Sequence, residues 1–291
     1  ALNAYDYKGK HIITSKIEHS SVLKTCQQLE REGYEVTYID VDENGVVNLE
    51  QLKNSIRKDT VIVSIMYANN ETGVKQPIKE IGKILKNTGI MFHTDAVQSM
   101  CKEVIFPKDL NINALTVASH KFYGPKGVGF VYLDKNFLIE KEIWGGSQER
   151  NRRAGTENVP YILGLEKAMQ IVVAKRDELV QNYQELREYL IEKLSERGIE
   201  FEFNGVANPK NPHICNIWLK GRKATQTLIF NDLKDVSVSA GSACSAGSVQ
   251  ISPVLSAMFK GETSRLEESV RLSFGMGSTK EDIDAFVDAL R

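Results

Sequence analysis

The sequence predicts an α/β fold, with a mainly parallel central sheet carrying helices on both faces and a smaller C-terminal α/β domain. Two observations lead there. Short β-type runs alternate with amphipathic helical patterns through the first half of the chain, the signature of successive crossovers. A helical pattern from about Val159 to Arg197 then runs longer than most globular helices, which predicts a kink or an interdomain connector. The expected domains are residues 1–177, the larger, and 178–291, the smaller.

Lys10-His11-Ile12-Ile13-Thr14 reads as the first strand. Ser20 can cap a helix through Glu30 whose Val22, Leu23, Cys26 and Leu29 share a face. A strand at Tyr34 to Ile39, a helix near Leu49 to Ile56 and a buried-type strand at Thr60 to Met66 follow. Tyr67 to Gly73 is a polar loop, and the helix that starts near Pro77 carries Ile78, Ile81 and Leu85 as its apolar stripe. The short strand Ile90 to His93 leads into Thr94-Asp95-Ala96-Val97-Gln98, and Ala114 to Ala118 and Val128 to Leu133 are strands flanking Ser119-His120-Lys121-Phe122-Tyr123-Gly124-Pro125. Lys141 to Arg153 is loop-like. Beyond the long helix, strands are expected near Ile199 to Phe203, His213 to Leu219, Val236 to Ser239 and Val270 to Phe274, with helices near Lys223 to Leu233, Pro253 to Phe259 and Lys280 to Leu290.

Composition narrows the function classes. The 291 residues are 42% hydrophobic, enough for sizeable cores, and 37 Lys plus Arg balance 38 Asp plus Glu, so no field attracts nucleic acid or an anionic membrane. No apolar run reaches the ~20 residues of a membrane span, and the first residues lack a signal-peptide pattern, so a cytoplasmic protein is expected. The five histidines are scattered without ligand spacing, and no metal site is expected. The four cysteines form no Cys-x-x-Cys pair and read as reduced thiols. Cys26 and Cys215 sit in apolar patterns suited to core packing, Cys101 is ambiguous, and Cys244 lies in a run of small residues from Ser237 to Ser248 that predicts a mobile, exposed loop.

Lysine and acid together carry the chemistry. A lysine at a strand exit, Lys121, is either a turn residue or a Schiff-base former. An Asp after an apolar strand, Asp95, is normally a cap or turn former; paired with Lys121 in an α/β chain it also suits the acidic partner that keeps a pyridine nitrogen protonated. Ser119 and His120 offer donors for a phosphate or for backbone groups at the turn. His19 reads as a helix cap or as a ring packed over a planar ligand, Asn69-Asn70 as turn chemistry ahead of a site, and Gln98 carries little signal. Arg271 alternates with apolar neighbours, either as a solvent-face charge or for bidentate capture of a carboxylate.

These residues, in this order, resemble the NifS-like cysteine desulfurases, relatives of the class V aminotransferases with the fold type I pyridoxal phosphate architecture. The match runs from end to end through Glu18-His19, Asn69-Asn70-Glu71-Thr72-Gly73, Asp95-Ala96-Val97-Gln98, Ser119-His120-Lys121-Phe122-Tyr123-Gly124-Pro125-Lys126-Gly127, Gln148-Glu149, Arg153-Ala154-Gly155-Thr156-Glu157-Asn158, Gly241-Ser242-Ala243-Cys244 and Arg271-Leu272-Ser273. The resemblance implies that Lys121 carries pyridoxal 5'-phosphate covalently, that Asp95 pairs with the pyridine nitrogen, and that Gln98 and Asn70 neighbour the ring oxygen and the substrate carboxylate. It implies that His19 stacks on the ring and carries a proton, that Ser119 and His120 hold the phosphate, and that Thr156 reaches the phosphate of the other subunit of a homodimer. Arg271 would clamp the carboxylate of L-cysteine, and Cys244 would take its sulfur as a persulfide, leaving alanine and supplying an iron-sulfur scaffold or other acceptor protein. A selenocysteine lyase, an aminotransferase and an inactive, cofactor-free interaction protein are the alternatives. The family's glycine-containing phosphate loop, which opens a helix near the N-terminus, has no counterpart here, so an N-terminally incomplete cofactor domain is expected. Thr94 and Ser147 are smaller departures.

Overall fold

A computed structural model describes residues 2–5, 8–205, 213–241 and 251–290. The chain forms two compact units: one of Ala1–Ile39, Asn48–Tyr67 and Pro77–Ala174, the other of Asp40–Val47, Ala68–Gln76 and Lys175–Arg291.

The first unit is built on a six-stranded sheet, ordered β2-β1-β3-β4-β5-β6. Its strands are β1 (His11–Ser15), β2 (Glu35–Ile39), β3 (Thr60–Ser64), β4 (Met91–Asp95), β5 (Ala114–Ala118) and β6 (Gly129–Leu133). All neighbours pair in parallel except β5 and β6, which are antiparallel, so the mainly parallel sheet expected from the alternation is present. Parallel strands need crossovers, and α1 (Ser20–Arg31), α2 (Leu49–Ser55) and α3 (Ile78–Leu85) supply those from β1 to β4, while the connection from β4 to β5 is built of turns. Ile12, Ile13, Val61, Val63, Phe92 and Leu115 are buried in the strands, and Ile78, Ile81 and Leu85 bury the α3 stripe. His19, not Ser20, caps α1. Its backbone is extended (φ -61, ψ 151) and its ring accepts from the Ser21 N–H, leaving Ser20 as the first helical residue.

The predicted long helix is two helices, α5 (Val159–Ala174) and α6 (Arg176–Glu196), broken at Lys175. No proline or glycine marks that break. Asp177 and Glu178 sit in the first turn of α6, where the helix dipole favours acids, so a new N-terminus is stabilised there. The loop expected from Lys141 to Arg153 contains one short turn, α4 (Gln148–Asn151), in which Glu149, Arg150 and Asn151 all have positive φ (51, 57 and 62). Such left-handed backbone costs roughly 1–2 kcal/mol per non-glycine residue, which local sequence gives no reason to expect.

The second unit carries a three-stranded antiparallel sheet, ordered β7-β8-β9, of β7 (Phe201–Phe203), β8 (Ile214–Leu219) and β9 (Ser269–Ser273). Its remaining helices are α7 (Ala224–Asp232), α8 (Pro253–Met258), α9 (Thr263–Glu267) and α10 (Lys280–Ala289). Leu186, Leu190 and Leu194 of α6 and Ile283, Phe286 and Val287 of α10 are buried, and the Tyr189 hydroxyl donates to Asp284 across the two helices. The strand expected over Val236 to Ser239 reduces to one bridge, Ser239 with Arg271, because the chain turns through a left-handed Asp235 (φ 59) just before it.

Two short stretches of the first half belong to this second unit. The Gln76 side chain donates to Gly45 O and accepts from Val47 N, and Asn216 of β8 donates to Glu71 O. These bonds join residues far apart in sequence, beyond the reach of periodicity.

Candidate active site

Parallel strands end at the same edge of a sheet, so whatever follows β1, β3, β4 and β5 is gathered there. His19 follows β1, Asp95 ends β4, and a single 3-10 turn of Ser119–Phe122 follows β5. All lie in the first unit.

Asp95 is held twice. Its carbonyl accepts from Tyr67 N at 2.8 Å and its Oδ1 from Val97 N at 2.9 Å. Burial pushes the carboxyl up from its ordinary value, while the Val97 N–H and the charge of His19 act in the opposite direction. A desolvated carboxylate of this kind favours a cationic N–H partner. Gln98, three residues on, is buried.

Lys121 stands at the exit of β5 as expected, but in the 3-10 turn and exposed, and among the described residues its amine has no hydrogen-bond partner. Tyr123 closes the turn in the left-handed region (φ 68), so the sharp reversal falls on the tyrosine of Tyr-Gly-Pro. Gly124 is required for another reason: a Cβ there would lie 2.0 Å from the Ser119 hydroxyl. That hydroxyl is fully buried and has no hydrogen-bond partner. His120 is exposed, and its ring is held below its ordinary value by desolvation and then by Lys121 and Lys126.

Glu18, beside His19 in the family-like motif, gains a role only from its surroundings. It is buried between the ends of β1 and β3, its Oε1 accepting from Ser15 Oγ at 2.5 Å and Met66 N at 3.0 Å, while its Oε2 has no partner. An acid between Ile17 and His19 at a strand exit was the available signal. Burial pushes its carboxyl from 4.5 up to about 8, against the two hydrogen bonds. Between those values the folded chain keeps a proton that the unfolded chain has lost, so stability falls as pH rises from 4.5 towards 8. Glu18→Gln is expected to remove this slope, which reaches about 1.4 kcal/mol per pH unit. Urea unfolding of both proteins at about pH 5.5 and 7.5 checks it, since parallel shifts in the two would mean an ionised carboxyl throughout.

The second unit brings Asn70 and Arg271 together. Arg271, in the middle of β9, is half-buried and its Nη1 donates to Asn70 O at 3.0 Å, which removes the solvent-face alternative. Asn69 is turn chemistry, its Oδ1 accepting from Glu71 N at 2.8 Å and Thr72 N at 2.9 Å. Glu71 is buried and accepts from Ser252, the cap of α8; burial raises its carboxyl, with Ser252 and then the Arg271 charge opposing. Thr156 is exposed in the first unit. Cys244 lies outside the described residues. Cys26, Cys101 and Cys215 are buried thiols, which settles Cys101 as packed. Among the described residues no group of His, Cys, Asp or Glu could hold a metal ion, and no helix is long and apolar enough to cross a membrane.

The residues of the first unit fit a planar pyridine cofactor with a phosphate. The buried Ser119 hydroxyl has hydrogen-bonding capacity left over for a phosphate oxygen, Asp95 offers the carboxylate for a protonated ring nitrogen, and Lys121 offers a free amine at the neighbouring strand exit.

Comparison with known proteins places the chain in a family. Residues 1–286 match the aminotransferase class V family. A putative cysteine desulfurase IscS 1 of Bacillus subtilis (strain 168) is 47% identical over 94% of this chain and 73% of its own length. A cysteine desulfurase IscS of Dictyoglomus turgidum is 43% identical over 99% of this chain and 73% of its own length. The solved structure of a NifS-like protein superposes with a TM-score of 0.90 at 32% identity, covering 99% of this chain and 75% of that one.

Proposed function

The chain belongs to the class V aminotransferase family, a pyridoxal phosphate-dependent family, and from that premise we propose that it is a cysteine desulfurase. The observation that carries the reading is the pair of adjacent strand exits: Asp95 ends β4, Lys121 follows β5, and the two strands pair in parallel with Asp95 opposite Thr116. When bound, the cofactor supplies an electron sink for the substrate carbon that loses a proton.

The chain's own residues do the rest. Lys121 would hold the cofactor, and its amine, when free, would take the α-proton of L-cysteine. Asp95 would keep the ring nitrogen protonated, Ser119 and His120 would hold the phosphate together with Thr156 from a second copy, and His19 would pack against the cofactor. His19 accepts from Ser21 N through Nδ1, so its Nε2 is the nitrogen available to carry a proton. Arg271 and Asn70 would take the substrate carboxylate, and Gln98 would help hold the cofactor. The Cys244 thiolate would then attack the substrate sulfur: an S–S bond forms as the C–S bond breaks, the sulfur stays on Cys244 as a persulfide, the C–S electron pair passes to the three-carbon remainder, and that remainder leaves as alanine once its α- and β-carbons have taken up protons.

A homodimer is part of this reading. Val159, Leu163 and Val173 of α5 are each at least half exposed (54%, 57% and 50%), apolar area that a second copy would cover. Transfer of the persulfide sulfur to an iron-sulfur scaffold or another acceptor protein, in the reducing cytoplasm, completes it.

The test is alanine and sulfide production from L-cysteine by the chain supplied with pyridoxal 5'-phosphate. Cys244→Ser is expected to keep the bound cofactor's visible absorption and lose turnover by about 100-fold or more. Full activity in that variant removes the persulfide route, and amino transfer to an oxoacid without sulfur release makes the protein an aminotransferase.

A further inference from the structure

The turn that carries Lys121 is fastened by a second lysine. Ala96 N donates to Thr116 O at 3.0 Å, the last main-chain bond between the chains leaving β4 and β5. Beyond it, the Lys102 Nζ donates to Gln98 O at 3.2 Å and to Lys121 O at 3.3 Å. One carbonyl belongs to the turn after Asp95 and the other to the turn that presents the Lys121 amine. We infer that Lys102 is a positioning residue, an ammonium clasp that fixes the main chain of Lys121 against the turn following Asp95.

Two further observations support this. Cys101, immediately before it, is buried yet left-handed (φ 67), a conformation costly for a side chain and retained only where surrounding structure demands it. Burial also lowers the Lys102 amine to about 8, with the Lys121 charge acting the same way and Cys101 opposing. A lysine desolvated to meet two neutral carbonyls, with no ion-pair partner among the described residues, is spent on holding backbone. The inference rests on the reading of Lys121 as the cofactor lysine only for its catalytic consequence; the clasp itself is a property of the chain.

Lys102→Met and Lys102→Arg separate these two. In the cofactor-free 291-residue chain, amide hydrogen exchange at Ser119–Tyr123 is expected to quicken by about tenfold in Lys102→Met, to return towards wild type in Lys102→Arg, and to stay unchanged in β1–β3. Unchanged protection at Ser119–Tyr123 overturns the clasp, and so does loss of protection throughout the sheet, which marks a merely structural role. With pyridoxal 5'-phosphate added, the pH at which the lysine-bound cofactor changes colour is expected to rise by about one unit in Lys102→Met, since a neighbouring positive charge has gone, and to hold in Lys102→Arg. An unmoved midpoint overturns the catalytic consequence. If the wild-type chain forms no adduct on Lys121, the functional reading fails while the exchange result still decides the clasp.

Discussion

Lys121→Ala is expected to abolish the visible absorption of bound pyridoxal 5'-phosphate and to cut alanine production from L-cysteine by about 1,000-fold or more, because in the proposed reading one side chain both carries the cofactor and takes the α-proton. Stability is expected to be indifferent, within about 0.5 kcal/mol, since the Lys121 side chain is exposed and its amine bonds nothing among the described residues. The clearest readout is mass: borohydride reduction of the loaded chain should fix one cofactor on the wild type at Lys121 and none on the variant. A colourless wild type would support a cofactor-free interaction protein, and a coloured, active Lys121→Ala would move the cofactor lysine elsewhere.

The second large effect is on folding. Gly82 lies inside α3 with the Leu110 carbonyl against it, and a Cβ built there would lie 1.9 Å from that oxygen. Alanine ordinarily favours a helix over glycine by up to ~1 kcal/mol, but here the backbone of the connection between β4 and β5 would have to move. Gly82→Ala is therefore expected to destabilise the chain by about 3 kcal/mol in urea unfolding, with no change in cofactor chemistry once folded. An unchanged midpoint would mean that α3 does not approach residue 110 so closely.

Most of the large unit could be read in order from the chain. Alternating apolar runs, the Ile78–Ile81–Leu85 stripe and the punctuation at Tyr-Gly-Pro are local patterns, and a local pattern survives because strand and helix periods are set by neighbouring residues. The same holds for the candidate site where it follows strands: Asp95 and Lys121 are legible as strand exits, and a parallel sheet then obliges them to share an edge. Asn69 and Asn70, indistinguishable in sequence, differ only through their surroundings, one spending its side chain on a turn and the other lending its carbonyl to Arg271.

By itself, then, the sequence determined the α/β class, the family likeness and the position of Asp95 and Lys121 at neighbouring strand exits. Only the tertiary structure decided which buried groups go unsatisfied, which residues clasp others, and which short stretches leave the first half to pack in the second unit. Glu18 without a partner for Oε2, Lys102 bridging Gln98 and Lys121, and Glu71 bonded to Ser252 are products of burial and of contacts between distant residues. Desolvation depends on the whole surrounding volume, and no window of neighbouring residues contains that information.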